Sequence, residues 1–426
     1  MISLRVSSLS AASGLACVRL VSLLALESAL LTLCAQSPVI YNFTGSTSDG
    51  SNPHCAPLID GSGRLFGTTV YGGASGDGTV YKLTPGGGGS WTETLLHSFA
   101  GHPGDGAEPD GDLLMVSSNL YGTTAIGGSS NAGTVYEMKN SSGTWSESVL
   151  YNFAGGTGDG GGPFSAVIVS GGVLYGTTFY GGSNLDGTVF SLTPPSPWTE
   201  AILYNFGASA SDGQNPHSAL LDAGSGVYYG TTYNGGSDSS GTVYELKDSS
   251  GTWTETVIYT FTGGSDGSNP HPAVIMDSSG ALYGTTVFGG ANSKGTVYKL
   301  TPGGGGSWTE SVLYSFGASS SDAAIPLAGV VFGSTQSVLY GATTKGGGSS
   351  GCSYGCGTVY KLTLSGGTWS ESILYAFTGY ANSDGEDPYS DITYSGGWIY
   401  GTTYSGGTSA NCSDTNGCGT VYALQP

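Results

Sequence analysis

Seven copies of one pattern, each about 55 residues long, run through this chain, and that repetition limits it to a stacked or a ring-closed architecture. Gly-Thr-Thr, mostly after Leu-Tyr, begins at Gly67, Gly122, Gly176, Gly230, Gly284 and Gly401, with a Gly-Ala-Thr-Thr variant at Gly341. Gly-Thr-Val begins at Gly78, Gly133, Gly187, Gly241, Gly295, Gly357 and Gly419. A segment of the type Val-Leu-Tyr-Asn-Phe ends at Phe43, Phe99, Phe153, Phe206, Phe261, Phe316 and Phe377. One unit shows the local structure these imply. Residues 273–276, 282–286, 295–300 and 308–316 are short β-branched and aromatic runs, divided by turn sequences such as Asp277-Ser278-Ser279-Gly280. Four antiparallel strands per repeat describe a propeller blade.

The ends decide between a ring and an open stack. After residue 36 the sequence opens on a fourth strand, 39–43, without a first three; it closes on a third strand, 419–424, without a fourth. Each supplies what the other lacks, whereas an open stack would leave edges to be blocked by polar caps. The expected fold is therefore all-β: a seven-bladed β-propeller of four-stranded antiparallel blades, closed by the N-terminal strand pairing in the last blade.

Gly makes up 77 of the 426 residues, a load that can signal disorder, but 27 Tyr, 13 Phe and 7 Trp come with it, and disordered chains are poor in aromatics. The formal net charge is −20, with only 10 Lys and Arg. Such a polyanion repels phosphate backbones and anionic lipid, so nucleic acid and membrane surfaces are excluded as partners, while divalent cations, basic proteins and neutral sugars are not. Arg5 and Arg19 precede an apolar run, 20–33, that ends in Leu33-Cys34-Ala35. This reads as an export signal over 1–35, with the propeller over 36–426; an uncleaved N-terminal anchor is the rival reading. No later segment is long and apolar enough to span a bilayer. The expected location is secreted or cell-envelope, and the chain is expected to act as a monomer.

Leu282-Tyr283, Gly289-Gly290, Val297-Tyr298 and Trp308 are spaced as in a kelch blade. Over residues 38–426, the ordered set Leu-Tyr-Gly-Thr-Thr, Gly-Gly, Gly-Thr-Val-Tyr-Lys-Leu-Thr, Trp-Thr-Glu and Asp-Gly-x-x-Pro more specifically resembles the GloVer (Gloeo/Verruco) tandem-repeat family of bacterial extracellular proteins. The resemblance implies export and a repeat scaffold, and it brings no catalytic residues.

The six Trp that open fourth strands (Trp91, Trp145, Trp198, Trp253, Trp308 and Trp369) are expected to wedge between neighbouring sheets. The Glu two residues after each reads as a solvated edge charge that blocks sheet-to-sheet pairing. Gly in the second strand is expected where backbones approach closely near the axis.

Loops from fourth to first strands and from second to third strands are the long ones and open on one face, the candidate functional face. They carry a recurrent acid at Asp49, Asp105, Asp159, Asp212, Asp266, Asp322 and Asp384. A ring of carboxylates holding Ca²⁺ is one reading. Carboxylates that each bond the backbone of their own tight turn is the other, and the better one, because a site rarely needs seven equivalents. His54, His217 and His271, each after Asn-Pro, fall in blades 1, 4 and 5, which is expected to keep them from converging on one metal. Cys352 and Cys356 lie in one second-to-third loop and Cys412 and Cys418 in the next, the two loops that are longer than the rest. Two local disulfides are expected there, worth roughly 2 kcal/mol each. Cys55 is left over as a buried free thiol.

Symmetric repeats are scaffold, so a specific partner is expected where symmetry breaks. Tyr354 and Asp414, at the tips of the two extended loops, are the candidate contacts alongside the recurrent acids. Two function classes follow. The first is a non-catalytic extracellular module that binds a protein or glycan. The second is a carbohydrate-active hydrolase or lyase, for which Asp387 and Asp391, the nonrepeated acids of blade 7, are the candidate pair. No cofactor motif is present.

Overall fold

The structure, a computed structural model, describes residues 38–412 and 416–426; the segment expected to direct export and Asp414 lie outside them. Residues Val39–Pro426 form one unit of seven antiparallel sheets around an axis. Blade 2 is representative, with strands Leu114–Val116, Asn119–Thr124, Thr134–Ser141 and Thr144–Asn152 from axis to rim. Closure is as the chain ends require: Val39–Asn42 pairs antiparallel with Thr420–Leu424, which makes it the fourth strand of blade 7. No helix among the described residues is long and apolar enough to cross a membrane.

Three features make the ring. In every blade the third and fourth strands pair through a bulge at the same place, as between Val80 and Tyr81 opposite His97 and Leu95. A bulge increases local twist, and blades need strong twist to pack face to face. The Gly of Gly-Thr-Thr has a more local reason than crowding at the axis. The Tyr of the third strand lies across it, and a Cβ on Gly67 would sit 2.4 Å from the Tyr81 hydroxyl. The two Thr of the motif then act as staples. Oγ1 of the second meets the Thr opening the third strand at 2.7–2.8 Å in all seven blades. In five blades the first Thr donates to the next blade, as Thr123 to the Ser165 carbonyl and Thr402 to the Cys55 carbonyl across the closure; in blade 1 the Thr68 hydroxyl is buried without a partner, and in blade 6 Ala342 takes the place.

Trp145 packs on Phe66 of blade 1, Trp253 on Tyr175 of blade 3 and Trp308 on Tyr229 of blade 4, so these Trp are inter-blade wedges. The Glu beside them is not a solvated edge charge. Residues two apart on a strand share a face, so Glu follows Trp into the junction. Glu93, Glu147, Glu200, Glu255, Glu310 and Glu371 each bury one carboxyl oxygen that has no hydrogen-bond partner. Burial, and then the Asp of the adjoining loop, pushes Glu93, Glu147, Glu200, Glu310 and Glu371 up to about 7 and Glu255 to about 8.

Candidate functional site

The innermost strand of each blade is longer than the sequence suggests, and broken. In blade 2 its upper part, Gly106–Ala107, pairs with Ile126–Gly127, and its lower part, Leu114–Val116, pairs with Asn119–Tyr121. Between them the chain bulges towards the axis. The break has one cause repeated seven times: the residue before Pro is left-handed, with φ between +53° and +62° at Asn52, Glu108, Gly162, Asn215, Asn269, Ile325 and Asp387. Its N–H leaves the ladder and donates to the preceding blade at 2.7–3.0 Å, as Glu108 to the Asp77 carbonyl and Asn215 to the Asp186 carbonyl. Pro then has no N–H to give, and the residue after it projects into the axis.

Those post-proline residues are His54, Asp110, Phe164, His217, His271, Leu327 and Tyr389, one from each blade, and all seven line one axial cavity. They form a collar. Phe164 stacks on His217 with centroids 5.2 Å apart, His217 meets His271 at 3.9 Å, and Tyr389 meets His54 at 4.0 Å. His54 Nδ1 pairs with the Asp110 carboxylate. The three histidines are therefore not kept apart by their blades, since an axis is where blades converge. Burial and the facing imidazoles hold His217 well below the ordinary imidazole range and His271 down to about 4, so both are neutral at pH 7.

Above the collar, on the long-loop face, Tyr71, Glu108 and Tyr404 join His54, Asp110, Phe164, His217 and Tyr389 around a cup of about 450 Å³. Below it, the axial cavity holds only about 80 Å³ and is lined by Asp112 and Asp391. Each carboxylate accepts an N–H from the neighbouring blade, Asp112 from Ala56 at 2.6 Å and Asp391 from Gly329 at 2.5 Å. Burial pushes both above the usual carboxylate range, and the charge of Asp391 pushes Asp112 further. Asp391 is thus placed with Asp112, and not with Asp387, which forms an ion pair with Lys345.

The recurrent acids spend their oxygens on their own loops. Asp159 accepts from Ala154 N, Gly160 N and the Tyr151 hydroxyl, and Asp384 from Thr378 N, Thr378 Oγ1, Gly385 N and the Tyr375 hydroxyl. Asp49, Asp266 and Asp322 are held alike, Asp212 is held through Oδ2 with its Oδ1 buried and without a partner, and in Asp105 His97 replaces the Tyr. Among the described residues, His97, Asp105 and Glu147 are the one group with three metal-ligating atoms within 4.8 Å of one another. Cys352–Cys356 and Cys412–Cys418 are disulfides, and Cys55 is a buried free thiol. Burial pushes that thiol up to about 12, which makes it unreactive. Tyr354 stands 83% exposed at its loop tip. It lies outside the collar, which sequence reasoning missed; a residue after Pro in every repeat was the signal available.

A sequence model of the Gloeobacter/Verrucomicrobia repeat matches residues 30–221 and again 144–353. No curated protein matches the chain. Among solved structures, an ulvan lyase of polysaccharide lyase family 25, bound to a glucuronate–rhamnose-3-sulfate repeat, aligns with a TM-score of 0.51 at 9% identity, over 91% of this chain and 95% of the lyase. A candidate 6-phosphogluconolactonase from Bacteroides fragilis NCTC 9343 aligns with a TM-score of 0.50 at 11% identity, over 79% of this chain and 86% of that one. At these identities the likeness is one of fold.

Proposed function

The chain belongs to the Gloeobacter/Verrucomicrobia repeat family, and from that premise we propose that it is an exported, non-catalytic binding propeller whose axial cup takes a carbohydrate. The observation that carries this reading is the cup itself. Sugars offer C–H faces that pack on aromatic rings and hydroxyls that need acceptors. Tyr71, Phe164, Tyr389 and Tyr404 supply the rings, and Glu108 and Asp110 supply the acceptors. About 450 Å³ is within the range of small-ligand sites. With two carboxylates in its wall, the cup suits a neutral sugar better than an acidic one. Two disulfides fit an oxidising, extracellular compartment.

Catalysis is the second reading, and the His54–Asp110 pair beside Tyr389 favours it, because an imidazole oriented by a carboxylate has general-base geometry. The Asp112–Asp391 pair does not serve it, since a cavity of about 80 Å³ admits no sugar ring. Screening the labelled protein on a glycan array tests the first reading. Binding that Phe164→Ala and Tyr389→Ala abolish is expected. Turnover of a polysaccharide that His54→Ala abolishes would replace the first reading with the second, and neither binding nor turnover would remove both.

A further inference from the structure

A second depression opens on the long-loop face at the junction of blades 5 and 6, with a volume of about 410 Å³. Its chemistry differs from that of the rest of the face. Of the eight Lys and Arg in the described residues, five are lysines in third strands, and Arg64 lies just before a second strand. The remaining two, Lys294 and Lys345, are the ones in the long-loop face, and both line this groove. Asp322, also in its wall, is buried and committed to Ala318 N, Ala323 N and the Tyr314 hydroxyl.

Both lysines are placed rather than free. Lys345 Nζ is held 2.5 Å from Asp387 Oδ1, and Lys294 Nζ stands 5.8 Å from the centroid of the Tyr354 ring. Tyr354 is itself held in an unfavourable state. Its φ is +69°, a region costly for a residue with a Cβ, and its ring is almost wholly in water. The Cys352–Cys356 disulfide and the Gly346 N–H bond to the Tyr354 carbonyl, 2.8 Å, keep it there. Ile325, a β-branched residue at φ +61°, lines the same groove.

We propose that this groove binds an acidic sugar, whose carboxylate or sulfate meets Lys294 and Lys345 while its ring face packs on Tyr354. An inorganic anion would have no use for a large exposed ring, and a neutral sugar none for Lys294, which forms no ion pair among the described residues, beside Lys345, which shares its charge with Asp387. Asp322 and Asp387, beside the groove, are already committed, one to its own loop and the other to Lys345, and more distant charge is screened beyond about 8 Å in physiological salt. The inference is independent of the axial cup, whose wall is acidic.

Isothermal titration of the Phe164→Ala variant, whose cup is disabled, with trigalacturonate, a sulfated galactose disaccharide and neutral galactotriose tests it. The acidic probes are expected to bind about tenfold more tightly than the neutral one, and less tightly at 300 mM than at 50 mM salt. Lys294→Met should weaken the acidic probes about tenfold and Tyr354→Ala about fivefold, with melting temperatures kept near that of the parent. With Phe164 restored the affinities of the acidic probes should stay the same, so failure here is distinct from failure of the cup. Equal affinity for the neutral probe, no binding of either acidic probe, or insensitivity to Lys294→Met overturns the proposal. Equally tight binding of inorganic sulfate or of a hexaglutamate peptide overturns it as well.

Discussion

The rim and the axis of this ring are built from the same repeat, yet they use it in opposite ways. At the rim, six junctions carry one chemistry: a loop Asp, a Tyr or His that donates to it or stands beside it, and the Glu of the next fourth strand. At the axis, seven equivalent positions carry five kinds of side chain, His, Asp, Phe, Leu and Tyr. The difference follows from what holds each place. Rim side chains hold the loops themselves, so replacing one leaves buried polar atoms without partners. At the axis the main chain does that work through the left-handed residue and its N–H bond to the preceding blade, identical in all seven. The side chain after Pro carries none of that backbone work, which leaves it able to differ from blade to blade.

Several changes should sharpen or break that contrast. The largest effect is expected from pH acting on the whole rim. Six Glu sit at about 7 to 8 in the folded protein against an ordinary 4.5, so the folded state holds their protons more tightly. The stability they confer is complete below about 4.5 and is lost as pH rises through 7 to 8. Melting temperature should therefore fall between pH 5 and pH 8.5, and Glu255→Gln should remove part of the fall. A flat profile would mean that the junction carboxyls are solvated. Asp266→Ala comes next, because it strands Thr262 N, Thr262 Oγ1 and the Tyr259 hydroxyl together; a loss of about 3 kcal/mol in urea unfolding is expected. Thr231→Val removes one inter-blade staple, to the Pro272 carbonyl, and should cost about 1 kcal/mol. The smallest effect on stability is expected at the collar, where Leu327→Ala should leave denaturant unfolding within about 1 kcal/mol of the parent.

Much of the scaffold was legible in the sequence for physical reasons. Blade number and closure follow from counts that agree and from end strands that complete each other. The disulfides were legible because four of the five Cys after residue 36 fall two by two in the two extended loops. The rim Glu was misread, although the period-2 rule already placed it on the same face as the Trp wedge. The collar was harder. Its cause is a left-handed residue before Pro, and Glu108 and Ile325 are not residues that announce such a backbone. Blade number then suggested distance between His54, His217 and His271, where the axis brings them together.

Alanine placed in turn at the seven post-proline positions, with each variant read both by melting and on a glycan array, tests this division of labour most directly. The account predicts seven melting temperatures close to the parent, with array binding lost at Phe164, Tyr389 and His54 and kept at Leu327. Array binding that survives all seven changes, or melting that collapses at each, would contradict it.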